Sequence, residues 1–244
     1  MFQRFQQQFL SLKNFYFITR YFLPWIAIAF FVTASYGVID GLFFAPADYQ
    51  QGNAFRIIYV HVPSAFTAMA IYFVMAASAL LTLVWRTKMA AICMSVSARI
   101  GVWFTLLALV TGSLWGKPMW GTWWIWDARL TSVLILLFLY IGFIALQSVI
   151  AEVQTRDRAS AILALLGVIN LPIIHYSVIW WNTLHQGPTL SRFARPAIAN
   201  SMLWPLLSMI AAFLLFYVWI LLLRMRNQII LRERKSLWVQ ELMA

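Results

Sequence analysis

Six long apolar runs decide most of what this chain can become. They cover about residues 21–42, 61–84, 97–115, 129–149, 161–181 and 202–223. Each is long enough to cross roughly 30 Å of hydrocarbon at about 1.5 Å of rise per helical residue. A bilayer offers no water to free backbone N–H and C=O groups, so runs of this length predict helices. The expected fold is all-α: a polytopic membrane protein with six transmembrane helices, in a single domain over residues 1–244. The composition agrees, with 63% hydrophobic and 10% charged residues and a mean hydropathy of +0.81, where a soluble domain is roughly half apolar. For the first run a cleaved signal peptide is the alternative, with Thr33-Ala34-Ser35 as its small-residue site. The run continues apolar beyond that point, which favours an uncleaved first helix.

The net charge of +11 could point to nucleic acid, so its distribution matters more than its sign. If both termini lie inside, the inner segments carry Arg4, Lys13, Arg20, Arg86, Lys88, Arg99, Arg156, Arg158, Arg224, Arg226, Arg232, Arg234 and Lys235. The outer ones carry Arg56, Lys117, Arg129, Arg192 and Arg195. Thirteen against five makes the termini cytoplasmic, makes the charge a topology signal and excludes a nucleic-acid partner. The basic tail 224–244 reads as a cytoplasmic amphipathic or surface helix on anionic membrane lipid, with partner docking as the alternative. Three connections then face outward: about 43–60, 116–128 and 182–201, the last restrained by Pro188 and Pro196.

The middle connection carries the densest motif. Residues 115–132 read WGKPMWGTWWIWDARLTS, with Trp115, Trp120, Trp123, Trp124 and Trp126 in a dozen positions. Gly116, Pro118 and Gly121 are expected to break this stretch out of any spanning helix. Indole rings suit a membrane–water boundary, so an aromatic belt loop is one reading. Five of them beside glycines also make a flat, apolar binding platform.

Two of the three histidines sit at the same predicted level. His61 lies at the outer mouth of the second run, in YVHVPS, and His185 lies just past the fifth, in WWNTLHQG. Each alone could be a belt or hydrogen-bonding histidine. Together, with the Trp stretch between them, they suit the two axial positions of a haem iron. Arg56 and Arg129 flank the same mouth and could grip haem carboxylates through paired N–H groups; Arg129 could equally salt-bridge Asp127. Asp127 reads as a loop-ordering acceptor rather than an acid catalyst. His175 lies some six residues inside the fifth run, roughly 9 Å deep; it is read as a neutral histidine bonded to Asn170 or a serine, with a polar station for transport as the rival.

Catalytic readings fail. Cys93 is the lone cysteine, which excludes a disulfide, a CxxC redox pair and covalent c-type haem attachment. GSLWGK at 112–117 imitates a phosphate-binding loop, but it has three residues between its glycines and Pro118 after the lysine. The chain is expected to bind and handle a ligand, not to be an enzyme. A b-type electron-transfer cytochrome would want histidine pairs within the bilayer, and only His175 lies there.

The stretch WGKPMWGTWWIWDARLTS closely resembles the tryptophan-rich "WWD" signature of haem-handling proteins. HVPSA around His61 and WWNTLHQG ending near His185 narrow the resemblance to the CcmC family, the haem exporter C proteins of cytochrome c maturation. The resemblance covers nearly the whole chain. It implies an inner-membrane protein of bacteria with its haem site on the periplasmic side, and His61 and His185 as axial ligands. It implies a platform of Trp115, Trp120, Trp124, Trp126 and Asp127, with Arg56 and Arg129 toward the propionates. Haem of b type would be held non-covalently and transiently, then passed to the chaperone CcmE, in a complex with the ATPase CcmA, CcmB and CcmD. A haem transporter or the permease subunit of an ABC exporter is the alternative.

Overall fold

The computed structural model describes residues 11–185, 187 and 198–243; Arg4, Arg192, Arg195, Pro188 and Pro196 lie outside the described residues. The described chain is all-helical and contains six segments long and apolar enough to cross a membrane. α1 (Leu12–Ile39) runs on through a π-helical turn, Asp40–Phe44. A short 3-10 segment, Asn53–Ile57, leads into α2 (Ile58–Trp85). α3 (Lys88–Trp120) and α4 (Ala128–Val149) follow. The fifth span is made of α5 (Val153–Gly167) and α6 (Asn170–Trp180), the sixth of α7 (Asn200–Arg232), and α8 (Leu237–Met243) closes the chain.

Small residues let these helices approach, as expected where lipid supplies no hydrophobic drive between them. The Tyr140 ring fills the space a side chain at Gly101 would need, and its hydroxyl donates to the Ala68 carbonyl at 2.8 Å. Tyr72 packs edge-on to Tyr140 at 5.1 Å, with its hydroxyl over Gly167. These contacts knit α2, α3, α4 and α5 into one core. α1 is peripheral: only Thr19 and Gly37 of it are buried, Gly37 beneath Met209 of α7.

α1, α3 and α5 begin eight or nine residues before their apolar runs, at Leu12, Lys88 and Val153, and three further boundaries differ from expectation for local reasons. The helix expected to break at Gly116 and Pro118 continues to Trp120. Pro118 lies inside its last turn and gives up one helical N–H bond there, while the Trp120 ring folds back onto Gly116, 2.9 Å from where a Cβ would stand. Gly121, at φ 75°, ends it with its N–H on the Lys117 carbonyl. The irregular part of the Trp stretch is therefore only 121–127. The fifth span, expected to be continuous, breaks between Gly167 and Asn170, and Pro172 falls in the first turn of α6, where a missing N–H costs little. The last span extends nine residues past its apolar run, to Arg232.

That extension and α8 dock on the chain's own terminal end. Arg232 forms a two-pronged ion pair with Asp157 at 2.9 and 3.2 Å, Arg226 donates to the Tyr16 carbonyl and covers the Tyr16 ring, and Val239 is fully buried. The opposite end gathers the segments 40–58, 120–128 and 180–185; it is called the site end below.

Candidate functional site

The site end is assembled around His61, on the first turns of α2. Its Nδ1 lies 3.1 Å from Thr111 Oγ1 of α3. The Thr111 hydroxyl has one proton and directs it to the Leu107 carbonyl at 2.6 Å. Toward the imidazole it can only accept, so Nδ1 carries the ring proton and Nε2 keeps the lone pair. The ring can come this close because residue 112 is glycine: a Cβ there would stand 3.0 Å from His61 Cε1. Trp115, one turn further along α3, packs edge-on to His61 at 5.6 Å and to Phe55 at 6.2 Å. Its indole N–H donates to Gln51 Oε1 at 2.8 Å.

Gln51 is itself held by a tight turn. Asp48 Oδ1 accepts the backbone N–H groups of Gln50 and Gln51 at 2.9 and 2.8 Å, and Gly52, at φ 57°, closes the turn with its N–H on the Asp48 carbonyl. Arg56 anchors this loop. It donates to the carbonyls of Gly41 at 2.7 Å and Ala45 at 2.9 Å and to Asn53 Oδ1 at 3.3 Å. Three of its five N–H groups thus tie the π-helical end of the first span to the 3-10 segment.

The second histidine arrives from the far side. His185 follows α6 after a short extended stretch, and its ring centroid lies 6.3 Å from that of His61, with 38° between the planes. Two imidazoles bound end-on to one metal, each nitrogen at about 2 Å, hold their centroids roughly 6 Å apart. The backbone N–H of His185 donates to Thr183 Oγ1 at 3.0 Å, and the Thr183 hydroxyl donates to Asp127 Oδ2. The other carboxylate oxygen of Asp127 caps α4 by accepting from Leu130 N–H at 2.7 Å. Asp127 therefore joins the Trp stretch to the His185 segment. Trp120 stands beside His185 at 6.1 Å. Trp124 packs edge-on to Trp126 at 5.5 Å; Trp126 is 77% exposed, while Trp124 Nε1 is buried with no acceptor among the described residues.

Arg129 does not salt-bridge Asp127. Its Nε donates to Ser177 Oγ at 2.9 Å and one terminal nitrogen to the His175 carbonyl at 3.4 Å, which fastens α4 to α6. His61 lies within electrostatic reach of both His185 and Arg129. His175 lacks its expected partner, because Asn170 donates instead to the Ser132 carbonyl at 2.9 Å; the His175 ring rests edge-on against Tyr176.

The structure thus brings His61, His185, Trp115, Trp120, Asp127 and Arg129 into one constellation. Arg56 supports the rim, and Trp124 and Trp126 form its outer part. Four residues escaped the sequence reading: Gln51, Thr111, Gly112 and Thr183. Thr111 and Gly112 had a signal, since they lie four and three residues before Trp115, on the same face of a helix.

Comparison with known proteins identifies the family. The profile of the CcmC family, described as "Heme exporter protein C", matches residues 5–240. A protein of that name from Escherichia coli (strain K12) is 54% identical over 228 residues, covering 93% of this chain and 91% of the relative. One from Haemophilus influenzae is 50% identical over 219 residues (90% and 89%), and one from Rhodobacter capsulatus 41% over 223 residues (91% and 92%). With a profile match over nearly its whole length and relatives this similar end to end, the chain belongs to the CcmC family.

Proposed function

We propose that this protein handles haem for cytochrome c maturation, holding it at the site end between His61 and His185 and handing it on. The observation that carries this reading is the pair of imidazoles 6.3 Å apart, one of them with its Nε2 lone pair fixed by Thr111. The names of the relatives, "Heme exporter protein C", point the same way. Haem of b type would be bound non-covalently, and it brings an iron that accepts two nitrogen ligands and two carboxylates that need cations. His61 and His185 supply the nitrogens. Trp115 and Trp120 wall the ligands, Trp124 and Trp126 meet the porphyrin edge or the receiving protein, and Asp127 positions His185 through Thr183. Arg129 and Arg56 keep N–H groups beyond those already bonded and can turn them to the propionates.

The two histidines are held unequally. His61 is set within a helix, whereas His185 is carried on the short non-helical segment that follows α6. His185 is therefore the ligand that yields when a histidine of the receiver arrives. In this proposal the site end faces the periplasm, across the inner membrane from the cytoplasmic basic termini. The receiver is the haem chaperone CcmE, and CcmA, CcmB and CcmD are the neighbours in the membrane. The covalent and ATP-driven steps belong to them, and this chain is not an enzyme.

The test is the haem content and Soret spectrum of the purified protein. His61→Ala should lose most haem; His185→Ala should keep a fraction with a spectrum of altered iron ligation. If both variants match the parent in content and spectrum, the ligand assignment is wrong. The rival reading, a permease path through the bundle, rests on His175. Undiminished haem delivery by His175→Ala removes that support.

A further inference from the structure

The face between α3 and α7 holds two recesses that the haem reading does not use. Near the terminal end, Ser95, Val96 and Arg99 of α3 and Arg224, Asn227 and Gln228 of α7 line a polar recess of about 260 Å³. Toward the site end along the same seam, Trp103, Phe104 and Leu107 of α3 and Phe213 and Phe216 of α7, with Phe30 of α1, line an apolar one of about 290 Å³. The spacing puts both along one seam, the groove between α3 and α7. Arg99, Trp103 and Leu107 follow each other at four-residue intervals on α3, and Phe213, Phe216 and Arg224 fall on one face of α7. The far end of the apolar recess lies about eight residues from Arg99 along α3 and about eleven from Arg224 along α7, or roughly 12 and 16 Å.

The charges in the polar recess are unanswered. Arg99 and Arg224 are exposed, and neither takes part in an ion pair or a hydrogen bond among the described residues. Three other cations at this end are answered: Lys88 pairs with Glu233, Arg232 with Asp157, and Arg226 caps the Tyr16 carbonyl. Ser95 gives its proton to Gln147, so the donors left facing the recess are the two guanidiniums and the amides of Asn227 and Gln228. Along α3, Arg99 and Lys117 are 18 residues apart, roughly 27 Å, which is close to the hydrocarbon thickness. Arg99 therefore lies at headgroup level and the apolar recess within the acyl region.

We propose that this groove is a binding site for one anionic phospholipid, its phosphate between Arg99 and Arg224 and an acyl chain along Trp103, Leu107, Phe213 and Phe216. Paired guanidiniums match phosphate oxygens, and basic recesses between membrane helices recognise anionic headgroups. The aromatic-walled groove beneath them selects a lipid over a free phosphate. The site stands apart from the haem reading and survives its failure.

The full-length protein, placed in vesicles of equal phosphatidylglycerol and phosphatidylcholine with matched acyl chains, can be extracted and its retained lipid counted by native mass spectrometry. Phosphatidylglycerol should be retained in preference. Arg99→Gln with Arg224→Gln should cut that preference roughly tenfold, and Arg99→Lys with Arg224→Lys should keep most of it. Trp103→Ala should lower retention of lipid as a whole. Because the two lipids are compared in one preparation, the ratio does not depend on the yield of folded protein. Equal retention of both lipids, or an unchanged ratio in the double glutamine variant, overturns the proposal. Displacement by millimolar inorganic phosphate together with no effect of Trp103→Ala would mark a soluble-phosphate site instead and overturn it equally.

Discussion

The chemistry of His61 is set by a residue that never needs to touch a ligand. Thr111 accepts from Nδ1 because its own proton is committed to Leu107. Thr111→Val keeps the branched shape and removes the acceptor, so the ring is free to rotate or to change tautomer. Loss of such an outer partner typically weakens metal binding by 10- to 100-fold, and a haem titration of the purified variant should show at least about a tenfold loss. Thermal stability should fall only modestly, by about 1–3 kcal/mol at most, the cost of leaving the imidazole N–H unpaired. Gly112 acts by absence. Gly112→Val places carbon where His61 Cε1 now sits 3.0 Å from a would-be Cβ, so the imidazole must leave its position over α3. Haem content should fall to near that of His61→Ala while the helical circular dichroism is kept. Retained haem in this variant would show that His61 can ligate from elsewhere. Trp115 is better explained as a wall of the His61 pocket than as the interfacial anchor its position suggests, because its N–H is held by Gln51 inside the site end.

At the scale of elements, Asp127 does two jobs with its two oxygens: it caps α4 and it holds the His185 segment through Thr183. The jobs can be separated. Asp127→Ala removes both, and the lost cap alone costs about 1 kcal/mol, so the melting temperature and the haem content should both fall. Thr183→Val leaves the cap intact and cuts only the tether. It should keep the melting temperature and speed haem loss to an acceptor such as apomyoglobin. If Thr183→Val releases haem at the parent rate, Asp127 does not position His185. The spans themselves were legible as apolar runs, because the bilayer leaves helix as the only backbone solution. Their ends were not. Gly116 and Pro118 read as breakers in isolation, yet α3 runs through both to Gly121, with the Trp120 ring packed on Gly116. The break at 168–169 was hidden for the opposite reason. An apolar run reports burial in lipid, not whether each carbonyl along it finds its partner. The histidine pair and Asp127 were legible as residue types at one predicted level. Thr111, Gly112 and Thr183 were not, since a hydroxyl that fixes a tautomer and a glycine that makes room become visible only once two elements are packed.

At the scale of the whole molecule, the two ends of the bundle differ in charge and in construction. Among the described residues the terminal end carries twelve Lys and Arg, and the site end three: Arg56, Lys117 and Arg129. The terminal end is tied by Arg232 on Asp157 and by Arg226 on Tyr16, while the site end carries the aromatic side chains of Tyr49 and Trp126 at its surface. This charge asymmetry supports the proposed orientation, with the terminal end toward the cytoplasm and the site end toward the receiver. It makes a direct prediction about sidedness. Cys93 is the lone cysteine and is half-buried on α3, so Cys93→Ser gives a thiol-free parent. In that background Tyr49→Cys places a thiol on the loop that presents Gln51, and Gln240→Cys places one on the exposed face of α8. Neither change alters a charge, so neither disturbs the signal being tested. A membrane-impermeant maleimide added to intact spheroplasts should label the Tyr49→Cys protein at once and the Gln240→Cys protein only after lysis. The reverse pattern would put the histidines on the cytoplasmic side, out of reach of a periplasmic receiver. Labelling of both positions without lysis would mean that the six spans do not alternate as their lengths require.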